Sequence, residues 1–173
     1  MNKIPNYIGG NWEPSSASEY ASVVNPTTFE TLALVPLTQS AEVAKAISMA
    51  VGAFPDWRKT PVTERIQYLF KLKNLLEINK EDIAKIITSE CGKTLSESRG
   101  ELQRGIENVE VACGMPKLMQ GYNNEDIASG IDEHLFRQPL GVVTAITPFN
   151  FPAMIPLWFL PYAIATGNCF ILK

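Results

Sequence analysis

The residues able to do chemistry in this chain are few, and most lie late in it. Asn150 sits in Thr147-Pro-Phe-Asn-Phe-Pro152, with a proline two residues away on either side. Proline fixes φ near about −65°, so the loop is stiff. A primary amide on stiff backbone is suited to donating to a developing oxyanion. The same side chain could instead close an Asx-turn on its own loop. Lys173 follows a second apolar run, where an ammonium can hold a ribose or phosphate or stand in solvent. No G-x-G-x-x-G follows the first run, so the usual dinucleotide fingerprint is absent. The single histidine, His134, and the scattered Cys91, Cys113 and Cys169 supply neither a His-based triad nor a ligand set, and no metal is expected.

The elements that position these residues are legible from periodicity. Gly141–Ile146 is a continuous apolar run of the kind found in a parallel strand buried on both faces. A helix-length apolar segment reaches Thr166, Gly167 supplies a stop, and Cys169–Leu172 forms a second strand. Strand, helix and strand make a βαβ unit with a parallel sheet. Ligands of such sheets bind at the carboxyl ends of the strands, where Asn150 and Lys173 fall. Upstream, residues 5–35 read as short strands punctuated by turns. Helices follow from Ser40 to near Gly52 and Pro55, after a Thr60-Pro61 cap, from Glu81 to Cys91 with Gly92 as stop, and from a capping box at Thr94–Glu97 to about Cys113. Leu102, Ile106 and Val109 should face inward on this last helix. Residues 121–130 read as a loop and 131–137 as a strand. The three cysteines read as small core residues.

Composition narrows the field. The chain has 173 residues and a net charge of −3, giving no electrostatic reason to expect nucleic acid. Three cysteines without a C-x-x-C pair suit a reducing compartment, and the start lacks a signal-peptide run, so a cytoplasmic protein is expected. Residues 138–172 carry no charge, yet five prolines and two asparagines within them argue against a membrane span. An ending of this kind also suggests that the chain is not a complete functional protein.

Several motifs together resemble one family. Pro148–Pro152, Ala165-Thr-Gly-Asn168 and Phe170–Lys173 are similar to the cofactor-binding core of the aldehyde dehydrogenase superfamily. Tyr7–Trp12, Asn25-Pro-Thr and Glu90–Thr94 match its N-terminal region in order and spacing. Phe149, where most members carry Trp, resembles the CoA-acylating methylmalonate-semialdehyde (malonate-semialdehyde) dehydrogenases, as do Arg104–Glu110 and Ala112–Pro116. The resemblance implies an α/β fold: the N-terminal part of a Rossmann-like nucleotide-binding domain, incomplete across 1–173 and without the catalytic domain. It further implies an oligomerisation hairpin within about 126–139 and a homo-oligomer, dimer or tetramer.

By the same resemblance, Asn150 helps form the oxyanion hole. Thr147, Pro148 and Phe149 line the NAD site, Lys173 bonds the adenosine ribose, and Arg104 holds the substrate carboxylate. Arg104 could otherwise be a solvated residue paired with Glu101 or Glu107. The implied reaction takes a semialdehyde to an acyl-CoA with loss of CO2, using NAD, with CoA as acceptor. None of the three cysteines matches the family's nucleophile, so turnover is not expected of this chain alone. A hydrolytic aldehyde dehydrogenase and a non-catalytic oligomerisation module are the alternatives.

Overall fold

The computed structural model describes residues 2–173. Four short strands open the chain: β1 (Asn6–Ile8), β2 (Asn11–Glu13), β3 (Tyr20–Val24) and β4 (Thr31–Pro36). They pair as antiparallel hairpins, β1 with β2 and β3 with β4, and Ile4 and Leu34 link the first segment to β4. Next come α1 (Ser40–Trp57), α2 (Val62–Ile78), α3 (Lys80–Cys91), α4 (Leu95–Cys113) and the short α5 (Met115–Leu118). The chain closes with β5 (Asn123–Ala128), β6 (Ile131–His134), β7 (Val142–Ala145), α6 (Met154–Thr166) and β8 (Cys169–Leu172). No helix among the described residues is long and apolar enough to cross a membrane.

The core lies where α4 meets α2, α3 and α6. Leu102, Ile106 and Val109 are fully buried, joined by Leu69, Ile87, Leu157 and Ala165. Gly105 lets α4 and α6 approach closely: a Cβ there would stand 2.7 Å from Leu157 Cδ1. The capping box forms, with Thr94 Oγ1 accepting from Glu97 N and Glu97 accepting from Thr94 N. Gly92 and Gly167 end their helices at φ 71° and 91°, a left-handed conformation that glycine adopts without a Cβ clash. Arg65, buried on α2, donates Nε to the Ala165 carbonyl at 2.9 Å and so ties down the end of α6.

The βαβ unit is present: β7 and β8 are parallel, in register from Val142 with Cys169 to Ala145 with Leu172. Asn168 Oδ1 accepts from Leu140 N at 2.7 Å and Gly141 N at 2.9 Å, locking the amino ends of both strands.

Several expectations need correction. Asn123–Ala128 is a strand rather than loop, because its polar residues pair across a hairpin: Asn124 donates to Glu133, and Asn123 bonds His134. That hairpin spans 123–134, earlier than 126–139, and both its strands are exposed throughout. Helix α1 continues through Pro55 to Trp57. Pro61, not Thr60, occupies the cap of α2, since the Thr60 hydroxyl instead donates back to the Asp56 carbonyl. Strand β7 is only half-buried, with Thr144 exposed. Only Cys113 of the cysteines is fully buried; Cys91 and Cys169 are half-buried.

Candidate active site

The carboxyl ends of β7 and β8 are held together by backbone. Lys173 N donates to the Ala145 carbonyl and Thr147 N to the Lys173 carbonyl, both at 2.9 Å. The loop leaving β7 then presents Pro148, Phe149 and Asn150 to solvent, Phe149 at 88% exposure. The Asn150 side chain makes no hydrogen bond among the described residues, so the Asx-turn is not formed. Its amide is free on a loop whose neighbours are not.

Those neighbours are fixed by groups from α3, α4 and the turn between them. The Cys91 thiol donates to the Phe149 carbonyl at 3.3 Å. Glu101 Oε1 accepts from Ala153 N at 3.0 Å and Met154 N at 3.2 Å. The first amides of a helix have no partner within it, and α6 has no side-chain cap of its own. A carboxylate from α4 fills that role, where the positive end of the helix dipole favours an anion. Glu101 is fully buried, and its other oxygen pairs with Lys93 Nζ. Lys93 also stands over the Phe151 ring, 3.9 Å from its centroid.

Arg104 lies one turn further along α4. Its guanidinium is 5.6 Å from the same Phe151 ring, and Nε donates to the Gly100 carbonyl at 3.3 Å. The pairing with Glu101 or Glu107 left open by the sequence does not occur: Glu101 is engaged by Lys93 and α6, and Glu107 by Gln103. Arg104 is thus exposed beside the loop with no carboxylate partner among the described residues. The structure therefore groups Thr147, Pro148, Phe149 and Asn150 on the loop leaving β7, sets Arg104 5.6 Å from the ring of the next residue, Phe151, and places Lys173 at the adjacent strand tip.

A comparison with known families decides what this arrangement belongs to: the model described as aldehyde dehydrogenase family matches residues 12–173. This chain belongs to the aldehyde dehydrogenase family. Malonate-semialdehyde dehydrogenase 1 of Bacillus thuringiensis (strain Al Hakam) is 50% identical over all 173 residues, which cover 36% of that protein. A methylmalonate-semialdehyde dehydrogenase from Oceanimonas doudoroffii superposes with TM-score 0.95 at 45% identity, over 100% of this chain and 35% of that one. A 36% identical Sinorhizobium meliloti 1021 protein, solved in complex with NAD, gives 0.94, again over 100% and 35%. The chain thus spans about a third of the length of these relatives.

Within this aldehyde dehydrogenase chain, Cys91 is the cysteine held against the Asn150 loop. Burial pushes its thiol pKa up, with a smaller opposing effect from Lys93, and burial also raises Cys113 and Cys169. A thiol so shifted is a poor nucleophile. The residues that sequence reasoning missed are Glu101 and Lys93, read only as a pairing option and as part of a motif. A signal existed: Ser98, Glu101, Leu102, Gly105, Ile106 and Val109 form one helical stripe, and Glu101 is the charge in phase with it.

Proposed function

We propose that this chain forms the N-terminal, cofactor-facing part of an NAD-dependent, CoA-acylating malonate- or methylmalonate-semialdehyde dehydrogenase. The observation that carries this is that the Asn150 amide makes no hydrogen bond among the described residues, while Arg104, exposed and without a carboxylate partner among them, stands 5.6 Å from the ring of the next residue, Phe151. A semialdehyde needs both. Its aldehyde oxygen gains negative charge on attack and wants an N–H donor, while its carboxylate wants a planar cationic fork. Thr147, Pro148 and Phe149 would line the nicotinamide cofactor and Lys173 would hold the adenosine ribose. Lys173 is exposed with no acidic partner among the described residues, which fits that role. NAD, when bound, supplies the hydride acceptor, and CoA receives the acyl group.

The nucleophile is not among Cys91, Cys113 and Cys169, so the chain as 173 residues is inactive in this reading. The exposed β5–β6 hairpin pairs with another copy, giving a dimer or tetramer, and the site of action is the cytoplasm. The test measures NADH formation from malonate semialdehyde, NAD and CoA. A full-length enzyme carrying this segment should turn over in a CoA-dependent manner, and the 173-residue chain should not. Turnover indifferent to CoA would indicate release of a free acid, and turnover by the chain alone would place the nucleophile within it.

A further inference from the structure

The support of the Asn150 loop is more elaborate than a turn requires. Asn150 lies between two anchored residues: the Phe149 carbonyl held by Cys91, and the Phe151 ring under Lys93. Just beyond, the Ala153 and Met154 amides converge on one oxygen of Glu101, while its other oxygen holds Lys93. One buried carboxylate therefore fixes the loop's end directly and its middle through Lys93. The isolated cost of such a buried charge is high, and it is offset only because every oxygen is engaged.

We infer that Glu101, acting through Lys93, is a positioning residue that sets where the Asn150 amide points. This rests on the reading of Asn150 as oxyanion donor. Removing such a donor costs about 10²–10³ in kcat, and a misplacement of about 1 Å can forfeit much of that. In Glu101→Gln, one oxygen still caps α6, but the new NH2 faces Lys93 donor to donor and releases it. Lys93→Met keeps the cap and the apolar stem while removing the ammonium over Phe151.

The test is a double-mutant cycle in a full-length enzyme carrying this segment. Glu101→Gln and Lys93→Met should each lower kcat by about tenfold while moving KM by less than about twofold. Added to Asn150→Ala, either should have almost no further effect, because the amide they aim is already gone. Lys93→Met leaves one oxygen of the buried Glu101 unpaired and can also cost stability. The double variant Glu101→Gln with Lys93→Met buries no lone charge and keeps an amide oxygen as the cap, so it answers the question, with the same tenfold loss expected, if either single variant does not fold. Full multiplicative losses on top of Asn150→Ala would overturn the positioning role while leaving Asn150's own role standing. An unchanged kcat in Lys93→Met would do the same. A normal kcat in Asn150→Ala alone would remove the donor itself, and the inference with it.

Discussion

Arg104 offers a sharp prediction because two different roles for it leave different kinetic signatures. If its fork binds the substrate carboxylate, Arg104→Leu removes hydrogen bonds to a charged partner, worth about 1.5–3 kcal/mol. At about 1.4 kcal/mol per factor of ten, kcat/KM for malonate semialdehyde should fall by roughly 10- to 150-fold. Because Arg104 is exposed, solvent screening favours the lower part of that range. Propanal, which lacks the carboxylate, should lose almost nothing. If Arg104 instead acts only by stacking on Phe151, its contribution is about 0.5–1 kcal/mol, two- to fivefold, and equal for both aldehydes. Arg104→Lys separates charge from shape: it keeps a cation but loses the fork, so it should fall between wild type and Leu for the semialdehyde alone. The assay is NADH formation with each aldehyde at saturating NAD and CoA. Equal losses on the two substrates would refute carboxylate binding.

Three further outcomes are expected. Gly105→Ala should be nearly neutral in urea unfolding, since about 1 kcal/mol of helix propensity offsets the movement demanded of Leu157 Cδ1. Gly105→Val should cost about 1–3 kcal/mol, because its branches meet the Leu157 stem as well. The Thr94 hydrogen bonds hold the Glu97 carboxyl below its ordinary pKa. The stability it contributes is therefore complete above the ordinary carboxylate range and is lost as pH falls through the lowered folded value. The melting temperature should drop through that acidic window, and Glu97→Gln should flatten the drop. Finally, Leu140, Ile146 and Phe149 are 90%, 82% and 88% exposed within an uncharged stretch. Expressed as 173 residues, the chain should self-associate in sedimentation, with or without NAD; a monomer at every concentration would contradict this.

Much of the fold could be read from the chain because its elements are specified locally. Thr94 and Glu97 define a helix start within four residues, and Gly92 and Gly167 define helix ends by a conformation that only glycine adopts cheaply. The β5 strand escaped because its cross-strand partners are polar side chains: Asn124 with Glu133 and Asn123 with His134 replace the alternating apolar pattern that betrays a strand. The end of α1 escaped because Pro55 is accommodated within the helix rather than terminating it.

The candidate site divides along the same line. Asn150 and Lys173 follow from topology alone, since a parallel βαβ unit must deliver its strand ends to one edge. What the amide can do there is a separate matter, and it depends on contacts between residues about fifty positions apart. Glu101 could be recognised as a charge on an apolar stripe, yet nothing local says which amides it meets. Only the packing of α4 on α6, with Leu157 laid against Gly105, brings that carboxylate to Ala153 and Met154. Lys93, in the turn before α4, pairs with the other oxygen of the same carboxylate. With Lys93 paired to the buried Glu101, Arg104 stands exposed beside the loop with no acidic partner among the described residues, which is why the substitutions at Arg104 and at Lys93 should report on different things.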